Sequence, residues 1–389
     1  MSNKIKQKKL KKRWKISALV LGILVIIGVV GYVGLQNFLK WKAPELSGEP
    51  KVGEWYRITP EGTKSSNGKD WHSLIKVGKE NKTLVYFFGG GLAVDEYTAA
   101  RPLNDDGGFY ADYADVDFGV KFGIASNNKE NPFKDWTILA IPYSTGDLHA
   151  GSGEYEYTDL NGNKQILYHN GYINYTSFMK EAMKYIPNPD TLLIAGFSAG
   201  GFGTSLLADD IITQYFPQVN NVTVAVDSSL LLTDTWHDVA ENMWQTPKEI
   251  SDRLVSDNIT LDSLTSLSKK YGNKIKILFG SSLRDEALST YQSYFRNGIL
   301  STTNENGDIY EKDLAKMVAD LQENLPNVGI YIWNEIEKNK DGKNLTPHTI
   351  LPSPNFYGKK YSEDKSIADW IINAINGNIN SYGLDLLDK

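Results

Sequence analysis

Gly196-Phe197-Ser198-Ala199-Gly200 places one serine among small residues, after the apolar run Thr191–Ala195 and before a segment that reads as a helix from Phe202 onward. A serine at a strand-to-helix turn sits in a strained backbone conformation, and small neighbours let strand, helix and substrate approach it closely. The following helix aims the positive end of its dipole at the turn, and the Ala199 amide can face an oxyanion. The same five residues also suit an ordinary Gly-Ser turn, so a catalytic reading needs partners. One is Gly89-Gly90-Gly91-Leu92, directly after the strand-like run Thr83–Phe88, where backbone N–H groups can reach a substrate.

The base has to be a histidine, and the chain has five: His72, His149, His169, His237 and His348. His348, in Thr346-Pro347-His348-Thr349, follows the last convincing strand, Val328–Trp333, where the chain order serine, acid, histidine puts a base. Asp285 follows the strand Ile275–Phe279 and is the favoured acid, with Asp227, at the end of Val222–Val226, as the alternative. In such a set Ser198 attacks an acyl carbonyl, His348 takes its proton, and the aspartate fixes the imidazole tautomer. Neither a metal nor an organic cofactor is required. The absence of cysteine excludes a thiol nucleophile and a cysteine-ligated metal.

These residues need a scaffold that brings strand ends together. Apolar, β-branched runs at Thr83–Phe88, Thr137–Tyr143, Leu192–Ala195, Val222–Val226, Ile275–Phe279 and Val328–Trp333 alternate with longer mixed stretches. Near-continuous apolar runs suit strands covered on both faces, so the expected fold is α/β with a mainly parallel sheet and helices on both faces. Helices are expected within Tyr172–Tyr185, Phe202–Tyr215 and Ser366–Ile375. The polar segments 101–118 and 150–170 read as long loops of the kind that shape binding sites.

The pattern resembles the pectin acetylesterase and Notum family of carboxylesterases. The resemblance rests on Gly89-Gly90-Gly91, on Ile141-Pro142-Tyr143-Ser144-Thr145-Gly146-Asp147-Leu148-His149, on His169-Asn170-Gly171 before a helix, and on Gly196-Phe197-Ser198-Ala199-Gly200-Gly201. It implies an α/β-hydrolase-like fold and ester hydrolysis by Ser198, Asp285 and His348, with oxyanion amides from Gly91, Leu92 and Ala199. Leu92 stands where plant and animal members usually carry tryptophan, and Ser144 where many carry cysteine. Gln292 lies further from Asp285 than the family's usual spacing. A cysteine-free, bacterial branch is implied.

The N-terminus carries a different signal. Eight of the first fifteen residues are basic, and the next twenty, 16–35, are uncharged and apolar. At about 1.5 Å per residue that run spans the roughly 30 Å core of a bilayer. The expected organisation is a basic cytoplasmic segment 1–15, a signal-anchor 16–35, a linker 36–55 and an extracellular catalytic domain 56–389. Were the segment cleaved, the domain would be secreted. Beyond residue 15 the chain has 33 basic against 47 acidic residues, a net of −14, which repels nucleic-acid backbones.

Rival readings are weaker. Asp105, Asp106, Asp112, Asp115 and Asp117 lack the register of a calcium loop and read as a solvated segment. The glycines around Ser198 fit neither dinucleotide nor P-loop registers. The expected activity is a serine carboxylesterase that removes acetyl or another short acyl group from a cell-surface polysaccharide or small ester. The alternatives are a hydrolase for longer lipid- or protein-linked acyl chains and a noncatalytic envelope binding module. Oligomeric state is not readable from the sequence.

Overall fold

The computed structural model describes residues 40–103, 108–113, 115–335 and 342–387. The basic segment 1–15 and the expected anchor 16–35 lie outside the described residues. Among those described, no helix is long and apolar enough to cross a membrane. From Ala43 onward the chain forms one compact unit. Residues 43–55 of the expected linker lie against it: the Ala43 amide donates to the buried Asp117 carboxylate at 2.7 Å, and the Arg57 amide donates to the Pro44 carbonyl. Asp117, expected in a solvated loop, is instead buried and faces Arg57 and His72, each at 3.5 Å.

The strands, in chain order, are β1 (Trp55–Ile58), β2 (Ser73–Lys76), β3 (Lys82–Phe87), β4 (Thr137–Ile141), β5 (Gly153–Thr158), β6 (Lys164–His169), β7 (Thr191–Phe197), β8 (Asn221–Asp227), β9 (Ile275–Ser282) and β10 (Val328–Trp333). Eight of them form one sheet in the order β1-β2-β4-β3-β7-β8-β9-β10, and β5 pairs with β6 as a separate antiparallel hairpin. From β4 to β10 every neighbouring pair is parallel, while β1 and β2 join the edge in antiparallel pairings. The six parallel strands are those expected from the apolar runs. The sequence reading missed β1 and β2, and it took the β5–β6 hairpin for loop.

The longer helices are α1 (Gly171–Ala182), α2 (Ala199–Gln214), α3 (Ile259–Tyr271), α4 (Glu286–Asn297), α5 (Asn304–Asn324) and α6 (Ile367–Ile375). They cover both faces. Val222, Val224 and Val226 of β8 share a core cluster with Leu206 and Ile211 of α2, whereas Ala225 and Asp227, which alternate to the other face, meet Ile367, Trp370 and Ile371 of α6.

Strand order positions the site. The connection from β3 runs to β4 on one side, and the chain returns through β7 on the other side of β3. The carboxyl ends of β3 and β7 therefore flank a switch point, the usual location of a ligand crevice in a parallel sheet. Helix α2 begins at Ala199, three residues earlier than expected, because its first turn is pressed against the end of β3. A Cβ on Gly200 would lie 2.2 Å from the Phe87 carbonyl oxygen, so only glycine permits this approach.

Candidate active site

Ser198 joins β7 to α2 with φ 55° and ψ −129°, a left-handed region that non-glycine residues rarely occupy. The strain is held from both sides: its amide donates to the Asp227 carbonyl at 2.9 Å, and its carbonyl accepts the Gly201 and Phe202 amides of α2. The turn points the half-buried side chain into a cavity of about 20 Å³ lined also by Gly91, Leu92, Ala199, Tyr291 and His348. Gly89 packs beneath it, where a Cβ would fall 2.5 Å from the Ser198 Cβ.

The structure brings His348 and Asp285 together. Nδ1 of His348 lies 2.7 Å from Oδ2 of Asp285, and the aspartate is fully buried. Its other oxygen caps α4 by accepting the Leu288 amide at 2.9 Å. A carboxylate partner at Nδ1 places the proton there and leaves Nε2 as the acceptor. Burial opposes the charged imidazole, but the Asp285 carboxylate, the hydrogen bond to it and the Asp227 charge outweigh that and hold His348 above its usual 6.5.

Asp227 has a different place from the one weighed for it. Its Oδ2 accepts the Ile350 and Leu351 amides, both at 2.8 Å, so it grips the backbone that follows His348. Burial raises its carboxyl to about 6 against those amides, the Ser228 hydroxyl and His348, all of which favour the anion. Because folding raises this pKa above the usual 3.8, its contribution to stability is complete below that value and lost as pH rises through about 6. Keeping the anion buried at neutral pH costs on the order of 3 kcal/mol.

Other residues fix the same loop. The Arg284 and Glu286 backbones pair with Thr346 on either side of Asp285. The Arg284 side chain donates to the Asn304 and Asn344 carbonyls and to Asp308 and Glu311. Gln292 binds both the amide and the carbonyl of Leu232, at 2.7 and 2.9 Å, which seats Leu231 in the cavity wall. Sequence reasoning passed over Arg284, although it adjoins the acid, and Tyr291, which carried no signal.

The expected oxyanion donors divide. Gly91 and Ala199 line the cavity, and neither amide donates to another group among the described residues. Leu92 departs from expectation: its amide donates to the Phe109 carbonyl at 2.7 Å and is already used. Gly91 takes φ 76°, and a Cβ there would strike the Phe109 oxygen at 2.0 Å, so glycine is needed for the turn.

The remaining histidines serve elsewhere. Nε2 of His149 donates to the Phe88 carbonyl at 2.8 Å, bracing the end of β3, and burial lowers the ring to about 4. His169 bonds the Thr145 carbonyl and is lowered by burial to about 3. Between them, buried Asp147 accepts Thr145, His149 and Gly171, while burial raises it to about 6. His72 faces Asp117, and His237 is exposed beside Glu241.

A family model described as Pectinacetylesterase matches residues 76–282, over half of the chain. Among solved structures the fold is similar to that of the Wnt deacylase Notum from Drosophila. One crystal form gives 17% identity over 84% of this chain and 94% of that chain, with a TM-score of 0.56. A second gives 16% identity over 82% and 92%, with a TM-score of 0.52. No curated protein matches the chain significantly.

The two aspartates should separate in kinetics. Asp285→Asn is expected to lower kcat on the order of 10⁴-fold, and Asp227→Asn, which only loosens the loop, by about a hundredfold or less; the reverse order would exchange their roles. If His348 is the base, the pH profile of kcat/KM should rise on an acid limb centred above 6.5, because the neutral ring would be the active form and its pKa is raised. A limb below that value would exclude His348 as the titrating base.

Proposed function

The chain belongs to the pectinacetylesterase family and is a carboxylic ester hydrolase, and from that premise we propose that it removes acetyl or a similarly short acyl group through a Ser198, His348 and Asp285 triad. Cavity size carries the reading. The space beside Ser198 is about 20 Å³, room for one water-sized group, so an acetyl methyl fits and a long chain does not. Its walls are mainly apolar, with Leu92, Leu148, Phe202, Leu231 and Leu288 contributing side chains.

In this mechanism the Ser198 hydroxyl attacks the acyl carbon while Nε2 of His348 takes its proton. The carbonyl becomes an oxyanion at the Gly91 and Ala199 amides, each such donor contributing about 3 kcal/mol to transition-state stabilisation. Collapse expels the alcohol, which takes the proton from Nε2. Water then attacks the acyl-enzyme, with His348 as base, releases the carboxylic acid and restores Ser198. Asp285 holds the ring and stabilises the imidazolium throughout. The alcohol side has no room in the cavity and stays outside it, which suits an acetylated polysaccharide or a small ester.

The same reading places the enzyme at the membrane, with residues 16–35 as anchor and the catalytic domain outside. Its support is the 20-residue uncharged run behind eight basic residues.

The defining assay is hydrolysis of p-nitrophenyl esters of increasing chain length. Acetate should be the best substrate, and both turnover and fluorophosphonate labelling should vanish in Ser198→Ala. Labelling that persists in this variant would rule out Ser198 as nucleophile, and a preference for octanoate would rule out the short-acyl reading. For location, the full chain should stay with membranes through an alkaline carbonate wash and be cleaved by protease added to intact cells. Release by carbonate would refute the anchor.

A further inference from the structure

The acyl cavity is closed by side chains of two kinds. Leu92, Leu148, Phe202, Leu231 and Leu288 are each no more than 4% exposed and back onto the core, so shortening any of them hollows out the fold. Tyr291 is only half-buried and stands on the solvent side. Its hydroxyl donates to the Phe109 carbonyl at 2.9 Å, and the two rings meet edge to face with centroids 6.2 Å apart. Burial raises the phenol to about 12, so it remains a donor at any physiological pH. The Phe109 oxygen also holds the Leu92 amide, which ties the ring to the strand-end loop that carries Gly91. Beyond Phe109 opens a wider cleft of about 390 Å³, bordered by Tyr97, Leu160 and Ile299.

We infer that Tyr291 sets the acyl-chain length: anchored on α4 and fastened to Phe109, its ring closes the small acyl cavity on the side where Phe109 borders the wide cleft. This rests on the reading of the small cavity as the acyl site. Longer chains are refused because the ring stands in their path, and removing it enlarges the acyl cavity as far as Phe109 while leaving the buried leucine and phenylalanine walls in place. The hydroxyl serves only to hold the ring, so the partition survives where the ring does.

The test compares kcat/KM for p-nitrophenyl acetate, butyrate and hexanoate in wild type, Tyr291→Ala and Tyr291→Phe. Tyr291→Ala should raise the butyrate-to-acetate ratio by roughly tenfold or more, the scale on which methylene-sized space discriminates substrates, and Tyr291→Phe should keep the wild-type ratio. An unchanged ratio in folded Tyr291→Ala overturns the inference. Should that variant fail to fold, Tyr291→Val removes the ring with less loss of packing and is judged by the same ratio. Wild-type enzyme inert toward all three esters would overturn both this inference and the reading beneath it, whereas acetate preference with an unmoved ratio would overturn this inference alone.

Discussion

The carboxyl end of β8 ties together the two segments that carry Ser198 and His348. Asp227 offers its main-chain carbonyl to the Ser198 amide and its side chain to the Ile350 and Leu351 amides. One residue thus ties the strained serine turn to the loop that carries His348. The serine turn stores strain, and the loop lies outside any regular element, so neither would hold its place unaided. A buried anion is an expensive tie, yet an anion accepting two amides holds backbone more firmly than a neutral group would.

Sheet topology supplies the rest of the geometry. Because β3 and β7 are neighbours, the glycine loop after one and the serine turn after the other emerge side by side. The first turn of α2 then has to lie against the Phe87 and Phe88 carbonyls, which is possible only with hydrogen at Gly200. His149 braces the same place from behind, bonding the Phe88 carbonyl while contacting Gly203 of α2. A neutral imidazole suits that position, since the site is buried and its partner is a carbonyl.

How far the molecule is legible in its sequence depends on the rule each part obeys. The six parallel strands show themselves because burial on both faces demands apolar residues throughout. β1 and β2 are four residues each, and β2 ends in Lys76, a buried lysine bonded to Asn127 and the Lys134 carbonyl that reads as surface. The β5–β6 hairpin alternates Tyr155 and Tyr157 with glutamates, a period-two signal masked by its polarity. In α5 the buried positions Tyr310, Leu314, Met317, Val318 and Leu321 are spread through a charged sequence, so no apolar run marks them. At the site, Ser198 and His348 follow from local motif and chain order. Chain order favours Asp285, which follows β9, over Asp227, which ends β8, but only their directions in space decide which carboxylate meets the imidazole. The commitment of the Leu92 amide to Phe109 is equally invisible, being a contact between loops.

The two halves of an ester are met by different means. Around the proposed acyl site the walls are mainly hydrocarbon, and the polar groups are those the proposed mechanism uses and the Tyr291 hydroxyl, which is engaged with the Phe109 carbonyl, so nothing there recognises an acyl chain by its chemistry. In the proposed reading, selection on that side is by excluded volume, and exclusion by a rigid wall is sharp because a packed interior yields little. The alcohol has no such enclosure. In the proposed mechanism it stays outside the cavity, and the wide cleft beyond Phe109 is built from the segment after β3, the tip of the β5–β6 hairpin and the residues that follow α4. These are connecting segments and a helix end, whose sequence can change without disturbing the sheet. In the proposed reading the acyl cavity is therefore set mostly by core side chains, with Tyr291 a wall that can change without hollowing out the fold, while the cleft lies in parts that can vary freely.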